Sequence, residues 1–283
     1  MTWPGRLLTL TLPLRACSGA TARPAYRYAD PLRVSNVRTI AFVNLKGGSA
    51  KTTSCASIAA ALAEQGERVL CIDLDAQGTL TRWLGHQPAA GLLATYLDGQ
   101  ALAPVATDWP GVDLVPADPE LTERRLAAHA LAVAALRRAL ARLDGPWSVC
   151  LLDCPPALGA IPLSALAAAG GVVIPVEAGA AALDGLPAIL EAVRDVDDQL
   201  PPGPAILGIL VCRVDRRLVL TREVVEALRE HLGDLVLGAE IPETVRLREA
   251  LAGRVSVLAH DPAGIGSEAY RSAAVEINTR WPT

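Results

Sequence analysis

Lys46 and Lys51 are the only lysines in 283 residues, against 24 arginines, and both lie in the stretch TIAFVNLKGGSAKTT, Thr39 to Thr53. An ammonium is a compact point charge on a flexible stem, and it suits a phosphate in a way that a planar guanidinium does not. The stretch reads as an apolar strand over 39–43, a turn of Lys46, Gly47, Gly48, Ser49, Ala50 and Lys51, and the start of an alanine-rich helix. Strand, tight loop and helix together aim successive backbone N–H groups and a helix N-terminus at an anion. The chemistry is that of a nucleotide triphosphate site. Lys51 would reach the β- and γ-phosphates, the Thr52 hydroxyl would ligate Mg²⁺, and Thr53 would bond the α-phosphate.

Three carboxylates fall at the ends of other apolar runs. Asp153 follows WSVCLL and precedes Cys154-Pro155-Pro156, the position of an acidic group that holds Mg²⁺ through water. A lone Asp at a strand end is otherwise a helix cap or turn former. Asp73 and Asp75 lie two apart at the end of RVLCIDL. Alternation in a regular strand faces such residues oppositely, one toward a metal shell and the other toward an attacking water. The alternative is a pair of carboxylates that only repel and solvate.

These side chains need strands that end together. Apolar runs over 39–43, 68–74, 112–116, 147–152, 172–175, 206–211 and 235–237 read as strands. Helical spacing appears over 52–65, 80–84, 92–97, 126–143, 160–169, 182–199, 220–232 and 263–279, with a further segment at 245–251. The alternation predicts an α/β fold, a doubly wound, mostly parallel sheet with helices on both faces. Ligands in such sheets bind beyond the carboxyl ends of the strands, where Lys51, Asp75 and Asp153 fall. No internal repeat or second domain is visible, so residues 37–283 read as one domain.

Composition excludes a few classes. The net charge of −4 gives no global basic field, so any nucleic-acid contact must be a local patch. Of the six cysteines, Cys71 and Cys150 sit in strand-like runs as small hydrophobes, and the set fits a reducing cytoplasm. Cys150 and Cys154 leave a metal or redox pair open. Residues 1–36 carry five arginines against Asp30 and read as a basic, disordered arm or as a wrongly chosen upstream start. Leu7 to Leu14 is too short to span a membrane and contains Pro13.

NLKGGSAKTT, then CIDLDAQG, LLDCPPALG, VVIPVEAGAAALDGL, ILGILVCRVDRRLVLTREVVEALREHLGD, IPETVRLREA and DPAGIGSEAYRSAAVEI resemble in order the ParA branch of the ParA/MinD ATPases. That family has a P-loop of deviant type with a second, signature lysine. The resemblance spans Val37 to Ile277 and implies a weak ATPase that uses ATP and Mg²⁺ and closes two protomers face to face. In it Lys46 would cross to the partner's phosphates, Asp75 would organise water, and Lys51, Thr52, Asp73 and Asp153 would take the roles above. Pro242 and Glu243 match the stretch whose backbone reads adenine. The resemblance further implies a cytoplasmic, nucleoid-associated homodimer that binds nonspecific duplex DNA. Hydrolysis stimulated by a ParB-type partner would release it, moving plasmids or chromosomes.

The sequence departs from that pattern in places. Ala50 replaces glycine before Lys51, Leu45 replaces glutamine, Ala76 replaces proline, and aromatic residues are missing from EAGAAALDG. If position 50 needs a positive φ, its Cβ costs on the order of 1 kcal/mol. Arg213, Arg216, Arg217, Arg222, Arg246 and Arg248 fall in the family's DNA-facing segments. Yet residues 205–255 balance eight arginines with eight acids, and pairs such as Arg222 with Glu226 read equally as surface salt bridges. A nucleotide-switched scaffold that positions a protein cargo is the competing reading. A membrane switch is disfavoured by EINTRWPT, which is no basic amphipathic helix. The 36 residues before the first strand are too few for an operator-binding helix-turn-helix domain.

Overall fold

Alternation along β1 (Arg38–Phe42) sets the architecture, since Ile40 and Phe42 enter one hydrophobic core and Ala41 the other. The same split recurs in β2 (Val69–Asp73), where Leu70 and Ile72 face one layer and Val69 and Cys71 the opposite one. A sheet buried on both faces follows. The computed structural model describes residues 37–126, 132–179 and 182–282. The readings of residues 1–36, and part of the helix predicted over 126–143, lie outside the described residues.

From the N-terminal side the chain continues through α1 (Lys51–Glu64), β2, α2 (Thr79–Trp83), α3 (Leu92–Asp98), β3 (Val105–Ala106) and β4 (Val112–Val115). Next come α4 (Glu123–Leu126), α5 (Ala132–Leu140), β5 (Val149–Asp153), α6 (Ala160–Ala168), β6 (Gly171–Glu177) and α7 (Leu186–Gln199). It closes with β7 (Ala205–Val214), α8 (Val219–Leu232), β8 (Val236–Pro242), α9 (Val245–Ala252), α10 (Val257–His260) and α11 (Ile265–Thr279). Strand order is β3-β4-β2-β5-β1-β6-β7-β8, parallel throughout except for the β3–β4 edge pair. The predicted doubly wound α/β sheet is therefore the fold, matched strand for strand apart from the two-residue β3.

α1 is alanine-rich because it is buried between the sheet and α11, whose Tyr270, Ala273, Ala274 and Ile277 share its core. Small side chains let the two helices approach closely, and that packing holds the loop before α1 against the sheet. Trp83 and Trp109 stack edge to face at 5.8 Å, and their indole N–H groups donate to Val255 O and Arg254 O. Those bonds tie the turn after α9 to the same layer.

Candidate nucleotide site

The ends of β1, β2 and β5 meet because their registers align: Phe42 is opposite Asp153, and Asp153 is opposite Asp73. Leu74 N–H donates to Asp153 O at 2.9 Å, which seals the join. The turn from β1 into α1 rises over this edge. Asn44, buried at the strand end, donates to Pro175 O at 2.6 Å and accepts from Lys46 N–H at 2.9 Å. It fixes where the loop leaves the sheet. Sequence reasoning missed it, although a polar residue closing an apolar strand was the available signal.

The loop is open to an anion. An added Cβ at Gly47 or Gly48 would meet nothing within 4 Å, and Gly48 has φ 78°. Ala50 is left-handed, φ 69° and ψ 22°, and offers no side-chain cap. The condition set for its strain is thus met, and the first N–H groups of α1 remain free of intrahelical acceptors. Ser54 N–H is the first to bond back, to Ala50 O at 2.8 Å. Among the described residues the buried Ser49 hydroxyl has no partner.

Lys51 is buried and its Nζ donates to Lys46 O at 3.1 Å. Burial lowers its pKa, against the pull of Asp153, Cys154 and Asp75. Asp153 is buried, and among the described residues neither carboxylate oxygen has a hydrogen-bond partner. Burial and then Asp73 push it well above the usual carboxylate range, while Thr52 and Lys51 act in the opposite sense. An unpartnered buried carboxylate beside an ammonium and a hydroxyl costs free energy unless a cation joins it. Among the described residues no group of three or more His, Cys, Asp and Glu side chains could hold a metal. The Thr52 hydroxyl and, through water, Asp153 could hold Mg²⁺, an ion that takes its remaining ligands from phosphate and water.

Asp73, expected near the metal shell, is hydrogen-bonded on both oxygens within its own protomer. Its Oδ2 accepts from Thr81 N–H (2.8 Å) and Thr81 Oγ1 (2.7 Å), and its Oδ1 accepts from Asp75 N–H (3.2 Å). Burial still raises its pKa to about 6, despite those donors. The side chain braces the loop that carries Asp75, and Thr81 is the partner that sequence reasoning did not find. Asp75 is half-exposed, its Oδ1 accepting from Gln77 N–H at 2.9 Å.

A cavity of about 480 Å³ runs from Gly47–Thr53 and Asp75 across to Pro242, Glu243 and Thr244. Cys212 and Tyr270 line its floor, bonded through Ser54. Cys150 and Cys154 are buried free thiols with raised pKa, primarily from burial, which makes them inert.

The arginines divide. Arg213 and Arg248 line this cavity rather than a separate face. Arg213 pairs with Glu177 and Glu243, Arg216 with Glu240, Arg217 with Asp215, and Arg246 with Glu249. Arg222 donates to Arg216 O, not to Glu226 as its spacing suggested, because its side chain turns back toward the turn before α8.

A family model described as an AAA domain matches residues 37–203. The chromosome-partitioning ATPase Soj of Thermus thermophilus is 41% identical over 246 residues, 87% of this chain and 97% of that protein. The chromosome partitioning protein ParA of Caulobacter vibrioides is 38% identical over 261 residues, 89% of this chain and 96% of that one. The solved structure of cobyrinic acid a,c-diamide synthase from Mycobacterium smegmatis, with bound ATP analog and magnesium, aligns with a TM-score of 0.73. It is 37% identical and covers 84% of this chain and 93% of that chain. With relatives named for chromosome partitioning matched over almost their whole length, and with this loop and strand-end carboxylates in place, the chain belongs to the ParA family of ATPases.

Proposed function

We propose that this protein is a DNA-partition ATPase: it binds Mg²⁺-ATP, closes into a homodimer, holds nonspecific duplex DNA, and lets go when a ParB-type partner stimulates hydrolysis. The observation that carries the reading is the unequal placement of the two lysines. Lys51 is buried against the loop, whereas Lys46 keeps a side chain 43% exposed and, among the described residues, pairs with Glu177. A buried lysine serves its own protomer's phosphates, and an exposed one can serve a partner's.

In this reading the N–H groups of Gly47 to Thr53 cradle the phosphates, Lys51 neutralises the β- and γ-oxygens, and Pro242 and Glu243 meet the base. Thr52 and, through water, Asp153 would hold Mg²⁺, which when bound would supply charge neutralisation to phosphoryl transfer. Asp75 orients the attacking water, and Lys46 from the facing protomer offsets the charge that develops. Arg216, Arg217, Arg222 and Arg246 are exposed. The ion pairs of Arg216, Arg217 and Arg246 are of the kind that phosphate displaces easily, which suits contact without base reading. Among the described residues no helix is long and apolar enough to cross a membrane.

The same pairing favours the second reading, a nucleotide-switched scaffold for a protein cargo. Binding to random-sequence duplex DNA in Mg²⁺-ATP and in Mg²⁺-ADP, at two salt concentrations, separates them. ATP-dependent, salt-sensitive binding supports partition. An ATP dimer that ignores DNA at low salt overturns it in favour of the scaffold.

A further inference from the structure

We propose that Arg213 is a positioning residue that sets how firmly Lys46 is held inside its own protomer, through the one carboxylate that both cations share, Glu177. The proposal rests on the reading that Lys46 acts across a dimer.

Three neighbouring strand ends supply the parts. Glu177 closes β6, Arg213 lies near the end of β7, and Glu243 follows β8. Glu177 is in register with Cys212, and Glu243 N–H donates to Val214 O at 3.2 Å, so the three side chains emerge in a row. The β7–β8 register shifts between Cys212 and Val214, an irregularity that re-aims the residue between them. That residue, Arg213, has φ 60°, a conformation few non-glycine residues adopt. A left-handed arginine at a shifted register is directed sideways along the strand ends.

Its guanidinium then divides between two acids. Its Nη1 lies 3.1 Å from Glu177 Oε1, and its Nε lies 2.8 Å from Glu243 Oε2. The other oxygen of Glu177 accepts from Lys46 Nζ at 3.2 Å. Lys46, Glu177, Arg213 and Glu243 thus form one chain from the start of the phosphate loop to the stretch assigned to the base. Arg213 and Glu243 also line the cavity that begins at Gly47, the residue after Lys46. While Arg213 occupies half of Glu177, that carboxylate restrains Lys46 less. If a polyanion in the cavity or a shift of Glu243 draws Arg213 away, the hold on Lys46 tightens, and if Glu177 is neutralised, Lys46 is freed. Each link is partly exposed, with Lys46 43%, Glu177 28%, Arg213 46% and Glu243 35% accessible, so the effects are modest, about two- to fivefold.

The composition provides the assay. With two lysines in the chain, acylation by an amine-reactive ester followed by peptide mass spectrometry reads Lys46 and Lys51 separately in the nucleotide-free protein. Glu177→Gln should speed Lys46 acylation about two- to fivefold, and Arg213→Met should slow it about twofold, because Glu177 then answers to Lys46 alone. Arg213→Gly relieves the left-handed backbone but removes the same charge, so it should match Arg213→Met. Lys51 should keep its rate in all three, whereas a general loosening would move both lysines together. Unchanged Lys46 rates, parallel changes at Lys51, or a glycine variant unlike the methionine one would overturn the proposal.

Sedimentation in Mg²⁺-ATP tests the reading beneath it. Glu177→Gln should dimerise at lower protein concentration than wild type and Arg213→Met at higher. Acylation rates that respond while the wild type stays monomeric would leave the restraint standing and remove the crossing role. A dimerising wild type with unresponsive acylation would do the reverse.

Discussion

Lys51 donates to the backbone carbonyl of Lys46 at 3.1 Å, so the buried ammonium of the loop braces the residue that carries the exposed one. The two charges are mechanically joined yet face different surroundings. Removing the outer one should therefore leave the inner one working. For Lys46→Ala we expect ATP binding within a few-fold of wild type, with loss of ATP-dependent dimerisation and of turnover. Sedimentation in ATP and titration with a fluorescent ATP analogue check the two halves. A variant that dimerises normally would exclude Lys46 from the interface.

Ala50 carries its Cβ at φ 69°, directly before Lys51. The left-handed conformation costs an L-residue about 1–2 kcal/mol, and glycine gives back about 0.5–1 kcal/mol of that in chain entropy. Ala50→Gly should raise unfolding stability by about 0.5–1 kcal/mol. Relieving the loop should also increase ATP turnover. Urea denaturation and a phosphate-release assay measure both. A less stable glycine variant would mean that the neighbouring packing, rather than the loop, favours the methyl group.

Thr81 works in two directions from inside the core, donating through Oγ1 to Asp73 and accepting from Ala117 N–H at 2.8 Å. Thr81→Val keeps the shape and deletes both bonds, leaving a buried N–H and a buried carboxylate short of partners. The cost should be about 1–3 kcal/mol in denaturant unfolding. Because Asp73 also holds Asp75 N–H, turnover should fall more than ATP affinity does. Equal losses in both would mean that the variant damages the whole site and not the Asp75 loop.

What the chain reveals before folding depends on how local the cause is. The sheet was legible because strands buried on both faces must be written as apolar runs such as VLCID and VCLLD. The phosphate loop was legible because glycines and lysines at fixed spacing have few other uses. Asp73 was harder: strand alternation says which way it faces, but not that Thr81, eight residues on, would claim its oxygens. Asn44 and Pro175 meet only through the β1–β6 pairing, and Arg213 enters the nucleotide cavity only through a register shift in β7. Each miss is a contact made by topology and not by neighbours in sequence.

Asp153 offers the sharpest test of the metal site, because its unpartnered oxygens are a liability until a cation arrives. Burial and Asp73 raise its carboxyl well above the ordinary value of 3.8, and burial raises Asp73 to about 6. A carboxyl whose folded pKa is raised contributes stability that is complete below its unfolded pKa and is lost as pH rises through the folded one. For Asp73 that window runs from about 3.8 to about 6, and for Asp153 it extends in the same direction. Asp215, lowered to about 2, acts only below the window. The Mg²⁺-free protein should therefore melt at lower temperature at neutral pH than in mild acid. Asp153→Asn should flatten that decline and stabilise the Mg²⁺-free protein near neutrality by about 1–3 kcal/mol. It should also abolish the rise in melting temperature that Mg²⁺-ATP gives the wild type over Mg²⁺-free ATP. Melting curves across pH, with and without Mg²⁺ and ATP, decide it: an asparagine variant that is less stable at neutral pH and still responds to Mg²⁺ would remove Asp153 from the metal site.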